Sequence, residues 1–168
     1  YLHMLEDPGS RALVTTSEFL DRVPDLARPG LNIVLADHGG LDDLAGQGNP
    51  IPAAAGTPAA EPASLMYTTG TTGSPKAEML SHDSWLSTAG TATRVLDMQD
   101  GDVTLHVAPL THGAGFLLLP TLQLRGHNLL CRSYDAARTL RLFEEYGVAG
   151  LFVVPSMIRM MLDARPAG

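Results

Sequence analysis

The sequence predicts an α/β protein, a layered domain whose mostly parallel sheet is flanked by helices. Three observations carry that expectation. Short apolar and β-branched runs alternate with helix-like stretches along the chain. One of those runs opens onto a loop rich in glycine and hydroxyl residues, as strands do at the ligand edge of such sheets. The 168 residues are 45% hydrophobic with a mean hydropathy of +0.07, enough for one domain with a real core.

The elements follow in order. Residues 12–16 read as a strand, and Thr16 or Ser17 can cap a helix over 18–26 that Pro24 shortens or kinks. Residues 31–35 form a second strand. Residues 37–63 turn rich in Gly, Pro, Ala and Asp and read as an exposed connection. Within it, 46–63 is the expected mobile linker between a partial α/β segment, 1–45, and an α/β subdomain, 64–168. There, Ser64-Leu65-Met66-Tyr67 is a short strand, 77–81 another, and His82-Asp83-Ser84 starts a helix to about Leu96. Residues 103–107 are an apolar strand. Residues 116–124, apolar on all sides, suit a buried helix with Pro120 as a kink. A strand at 128–131 follows. From Asp135, the spacing of Leu140, Leu142, Phe143 and Tyr146 predicts an amphipathic helix closed by Gly147. Residues 148–154 form the last strand, and Pro155 opens a final helix through Leu162.

Charge and composition exclude several functions. Eighteen acidic against eleven basic residues give a net charge of −7, which argues against nucleic acid or an anionic membrane as partner. Cys131 is alone, so no disulfide framework or cysteine metal cluster exists; it reads as an inert, buried thiol. No stretch approaches the ~20 apolar residues that span a bilayer, and the N-terminus lacks a signal-peptide pattern. The expected compartment is the cytoplasm.

Residues 67–76 read Tyr67-Thr68-Thr69-Gly70-Thr71-Thr72-Gly73-Ser74-Pro75-Lys76. No carboxylate interrupts them. Glycines let backbone N–H groups turn inward, while hydroxyls and one ammonium add donors, so the loop suits a polyanion. It is not the P-loop of NTPases, since no Gly precedes Lys76 and Ala77 follows it. The string closely resembles the signature of the acyl-adenylate-forming ligases, or AMP-binding enzymes, Tyr-Thr-Ser/Thr-Gly-Thr/Ser-Thr-Gly-x-Pro-Lys-Gly. That family includes acyl-CoA synthetases, luciferases and the adenylation domains of peptide synthetases.

Further residues fit the acyl-CoA synthetase branch. Pro109-Leu110-Thr111-His112-Gly113-Ala114-Gly115 resembles its Pro-Leu-x-His-x-x-Gly segment, whose histidine lines the acyl and adenylate pocket. On the residues alone, a helix-start histidine with ordinary hydrogen bonds is the favoured reading of His112, and it is the resemblance that turns it toward the pocket. His82 matches the family's Ser/Thr-His after the loop and serves the helix start. Val153-Val154-Pro155-Ser156-Met157 looks like the Val-Pro-Thr landmark. Trp85 and Met79 read as core, and Arg125, Arg132, Arg138 and Arg141 as solvated faces. His3, His38, His106 and His127 show no ligand spacing.

The resemblance implies part of the large N-terminal domain of an adenylate-forming enzyme. The parent would be an ATP-dependent ligase that activates a fatty or aryl acid as acyl-AMP and transfers it to coenzyme A. Thr68 would touch Mg2+ or phosphate; Thr69, Gly70, Thr71, Thr72, Gly73 and Lys76 would enclose the phosphates; His112 would orient the acyl end. The family's Tyr-Gly-x-Thr-Glu segment, ribose-binding Asp and small domain with a catalytic lysine are not in this sequence. The chain therefore reads as an internal slice, inactive alone. A non-catalytic nucleotide- or phosphate-binding module and an unrelated NTPase are the alternatives. One departure is local: the family has Gly-Val after the lysine, and this chain has Ala77-Glu78. Glu78 shares a strand face with Leu80. The expectation is a core-facing carboxylate that needs a donor or a proton; the other reading puts it near the phosphates, repelling them.

Overall fold

The computed structural model describes residues 1–48, 56–68 and 75–165. The chain divides into two compact units, Tyr1–Thr57 and Pro58–Gly168.

The first unit contains helix α1 (Leu2–Glu6), strand β1 (Ala12–Thr15), helix α2 (Ser17–Arg22), strand β2 (Asn32–Leu35) and helix α3 (Gly40–Gln47). β1 and β2 pair in parallel, with α2 in the connection that parallel pairing requires. Thr16 caps α2 as expected, its hydroxyl accepting from Phe19 N at 3.3 Å. The chain breaks at Val23 and resumes as a 3₁₀ turn at Pro24–Leu26, so proline shortens the helix. The Asp37 carboxylate accepts from both the backbone N–H and the hydroxyl of Ser17, tying the end of β2 to the start of α2.

Helix α3 corrects the expectation of an irregular stretch from residue 37. Gly39 adopts a left-handed φ of 73° and turns the chain, and Asp42 and Asp43 lie in the first turn, where carboxylates favour helix. The small residues leave little apolar periodicity to read, and Gly40 lets the helix start against β2: a Cβ there would stand 2.8 Å from Leu35 O. The expected linker 46–63 falls partly outside the described residues.

The second unit begins with β3 (Pro62–Thr68) and β4 (Lys76–Ser81), an antiparallel pair in which Thr68 faces Lys76 and Met66 faces Glu78. The segment between them is too short for the crossover a parallel pair would need, so the strands form a hairpin. Helix α4 (His82–Val95) follows without a break, and the Ser81 hydroxyl accepts from Ser84 N at 3.1 Å. The hairpin corrects two expectations. Met79 is 69% exposed rather than core, and Glu78 is exposed rather than buried.

Three parallel strands, β5 (Val103–His106), β6 (His127–Leu130) and β7 (Val148–Leu151), make the other sheet, ordered β6-β5-β7. Central β5 and the residue after it carry the core: Leu105 and Val107 pack with Leu142 of helix α6 (Ala136–Tyr146), surrounded by Leu129, Phe143, Leu151 and Met157. α6 is capped by Asp135, which accepts from Arg138 N at 2.6 Å, and ends on Gly147 at φ 59°. β7 ends at Leu151, short of the expected 154, where its pairing with β5 ends; Val154 stays extended ahead of Pro155, the first residue of helix α7 (Pro155–Asp163).

The expected helix over 116–124 is a 3₁₀ turn at Gly113–Leu117 followed by helix α5 (Leu118–Gln123). Pro120 lies in the first turn of α5, where its missing N–H costs nothing, so it starts the helix instead of kinking it. Polar side chains fix α5 against the sheet. Buried Thr121 donates to Leu117 O and accepts from Thr104 of β5, both at 2.7 Å. Asn128 of β6 donates to Leu118 O at 3.1 Å.

Candidate functional site

Two of the motifs lie in the second unit. The first is the hairpin. Thr68 and Lys76 face each other across it, so the strands hold the two ends of the Gly/Thr loop in register. Directly paired residues share a face of an antiparallel ladder, and so do residues two apart along a strand. Ser64, Met66, Thr68, Lys76, Glu78 and Leu80 therefore line one face. Its outer end is exposed at Thr68, Lys76 and Glu78. Among the described residues, none of the ion pairs uses Lys76. Thr69, Gly70, Thr71, Thr72 and Gly73 lie outside the described residues.

The second motif is the turn after β5. Gly115 N–H donates to His112 O at 2.8 Å and His112 N–H to Pro109 O at 3.3 Å, folding the segment back on itself. Gly115 is obligatory: a Cβ there would sit 2.0 Å from Leu110 O. Gly113 passes beneath Phe152, whose ring would lie 2.7 Å from an added Cβ. His112 itself is exposed.

That contact locates the turn in the topology. The chain leaves β5 for β6 on one side, then crosses to β7 on the other, so winding reverses between β5 and β7. Ligands of open α/β sheets bind outside the carboxyl ends of the strands at such a reversal. His112 follows the end of β5, and Phe152 is the first residue after β7. The turn thus stands at the switch point.

α4 connects the two motifs. Half-buried Trp85 donates its indole N–H to the Ser64 hydroxyl of β3 at 2.8 Å and packs its ring on Phe116 at 5.0 Å between centroids, tilted by 34°. Treating this residue as plain core missed its polar contact, and only the spacing of Ser64 and Trp85 in space reveals it.

A cavity of about 650 Å³ opens beside the turn, lined by His106, Val107, Pro109, Leu110, Tyr134 and Met157 among others. His112 is not among its lining residues, because the cavity lies toward β6 and α7. His106 is 2% exposed, and its Nε2 lies 2.6 Å from Asn128 Oδ1. Since the Asn128 amide nitrogen donates to Leu118 O, its oxygen accepts, and His106 Nε2 carries the proton. The ring is committed to structure. Tyr134 donates to Met157 O at 2.6 Å, and burial, then the nearby Asp135 charge, pushes its phenol upward. Cys131 is partly exposed on the cavity wall rather than fully buried.

Among the described residues, no group of three or more His, Cys, Asp or Glu side chains is arranged to hold a metal ion. The donors of this site, hydroxyls and an ammonium, match an anion better than a bare cation. No helix is long and apolar enough to cross a membrane, among the described residues.

Comparison with known proteins identifies the family and the fold. A feruloyl-CoA synthase from Amycolatopsis sp is 32% identical over 157 residues, covering 92% of this chain and 31% of the relative. 4-Coumarate–CoA ligase 5 from Oryza sativa subsp. japonica is 30% identical over 169 residues, covering 89% and 30%. ATP-bound MatB from Rhodopseudomonas palustris matches with a TM-score of 0.80 at 26% identity, over 98% of this chain and 33% of that one. The fold is also that of o-succinylbenzoate CoA synthetase (MenE) from Bacillus subtilis in complex with ATP and magnesium, with a TM-score of 0.81, 24% identity, and 98% and 33% coverage. This chain spans less than a third of the length of either curated relative. The family model described as AMP-binding enzyme matches residues 1–168, and the chain belongs to that family of adenylate-forming enzymes.

Proposed function

We propose that this chain is the phosphate-holding part of an ATP-dependent acyl-CoA synthetase, an AMP-forming acid–thiol ligase acting on a fatty or aryl acid in the cytoplasm. The observation that carries the reading is the pairing of Thr68 with Lys76, which closes a loop of glycines and hydroxyls beside an exposed ammonium. In the reaction, a carboxylate oxygen attacks the α-phosphorus of ATP and pyrophosphate leaves. The thiol sulfur of coenzyme A then attacks the acyl carbonyl, and AMP leaves. The first step develops charge on the departing phosphates, and preorganised donors stabilise it. Thr69, Gly70, Thr71, Thr72, Gly73 and Lys76 take that role. His112, exposed at the switch point, orients the acyl end.

A magnesium ion bound with the nucleotide supplies further positive charge. Thr68 would offer it one hydroxyl. The carboxylate ligand and the catalytic lysine that the family uses are not in this sequence, so the chain alone binds nucleotide without making acyl-CoA. A second reading, a nucleotide-binding module without catalysis, is favoured by Glu78, a carboxylate exposed beside Lys76.

Equilibrium dialysis against labelled ATP, run beside carboxylate-dependent ATP–pyrophosphate exchange, tests the proposal. Binding that Lys76→Ala weakens, with no exchange, is the expected result. Absence of binding defeats the phosphate-loop reading, and exchange by the isolated chain defeats the division of labour.

A further inference from the structure

We propose that Trp85 is a positioning residue, a strut that holds the β3–β4 hairpin bearing Thr68 and Lys76 in fixed relation to the turn bearing His112. The proposal rests on the functional reading above for its consequence and on geometry for its substance.

Three features single the residue out. First, its two contacts lie on the two motifs: Nε1–H donates to Ser64 on the face that also carries Thr68 and Lys76, and the ring packs on Phe116, inside the 3₁₀ turn that His112 precedes. Second, β3 and β4 form a separate two-stranded sheet, sharing no ladder with β5-β6-β7. The hairpin is held instead by α4, which follows β4 directly, donates from the His82 and Asp83 backbone N–H groups to Glu61 O and Ala59 O ahead of β3, and touches both strands as well as the 3₁₀ turn and α5. Third, the bond is directional. An indole offers a single donor, so the Ser64 contact fixes the ring plane, and a fixed ring plane fixes where Phe116 rests. A Leu at 85 would fill space without setting either.

The consequence is a coupling. Phosphate donors and the acyl-end histidine must hold their separation within a fraction of an ångström for an in-line displacement, and a misplacement of about 1 Å costs on the order of a hundredfold in rate. The helix between the motifs supplies that separation, and Trp85 is the α4 side chain that hydrogen-bonds one motif and stacks on the other.

Trp85 is also the only tryptophan, so its emission reports on this one contact. The test compares the 168-residue chain with Ser64→Ala, Ser64→Thr, Trp85→Phe and the double variant Ser64→Ala/Trp85→Phe. ATP affinity is read by equilibrium dialysis, Trp85 emission by fluorescence, and amide protection by hydrogen exchange. Loss of one neutral hydrogen bond predicts ATP binding weakened about fivefold in Ser64→Ala and in Trp85→Phe, with the double variant no weaker than either. Ser64→Thr keeps the hydroxyl and restores both affinity and emission. Hydrogen exchange rises in Trp85→Phe at β3–β4 and at Gly115 together, while Thr104 and Leu105 stay protected.

Unchanged ATP affinity in folded Ser64→Ala and Trp85→Phe overturns the strut, as do additive effects. If the unaltered chain binds no ATP, the nucleotide reading has failed and the strut is judged on exchange alone. Loosening of only one of the two motifs, or of neither, then overturns it.

Discussion

Glu78 offers the sharpest test of the hairpin's geometry, through Glu78→Gln, which removes a charge and keeps the shape. The side chain is exposed, so the substitution should change stability by less than about 0.5 kcal/mol. Its effect belongs on anion binding. Glu78 and Lys76 share a face two residues apart, a separation of about 7 Å. At about 7 Å a pair of unit charges in water interacts by roughly 0.6 kcal/mol, and about 0.1 M salt halves it. A doubly charged phosphate at Lys76 then feels a repulsion of about 0.6 kcal/mol, or roughly a threefold loss of affinity. Glu78→Gln should recover about that factor at the low salt level, about 0.1 M, and less than about twofold at about 0.5 M salt, where screening is shorter. ATP titrations at the two salt levels and urea unfolding of both proteins decide it. A gain in stability above about 1 kcal/mol would show that the carboxylate is buried. Unchanged affinity at low salt would refute the shared face.

Other outcomes follow from the same structure. In a complete enzyme carrying this chain, Lys76→Ala should raise KM for ATP by about 10- to 100-fold, the range of a charge-assisted bond, and leave KM for the acid nearly unchanged; equal effects would make the lysine structural. Gly115→Ala should cost at least about 2 kcal/mol in urea unfolding, because Leu110 O occupies the Cβ position, and a neutral result would disprove the tight turn. Hydrogen bonds from Ser17, foremost its hydroxyl, hold the Asp37 carboxyl below its ordinary value. Its contribution to stability is present above the unfolded-state value and vanishes as pH falls through the lower folded one. Asp37→Asn should therefore flatten the acid limb of the first unit's stability profile; an unaltered limb would contradict it.

Local signals made much of this chain readable. Thr16 and Asp135 cap their helices and Gly147 closes α6, because capping is decided within a few residues. The family was likewise legible from the loop signature, since that signature lies in contiguous residues. What escaped depends on packing between distant parts. α3 has too few large apolar residues to show a period. Glu78 and Met79 alternate correctly, but alternation does not say whether either face of a two-stranded hairpin is covered. The switch point, too, exists only once strand order is known.

The hydroxyl chain through Thr104 and Thr121 bears on how singular the native state is. α5 reads Leu118-Leu119-Pro120-Thr121-Leu122-Gln123, and a leucine-rich cylinder on an apolar sheet has many azimuths of similar energy. Dispersion forces choose weakly among them. Thr104 and Thr121, with Asn128 on Leu118 O, accept only one rotation, since every other leaves a buried hydroxyl or amide unsatisfied. These bonds select one arrangement from a set of near-equals more than they deepen its well. Because α5 continues directly from the turn that follows His112, the histidine inherits a single setting of the backbone rather than an average over several.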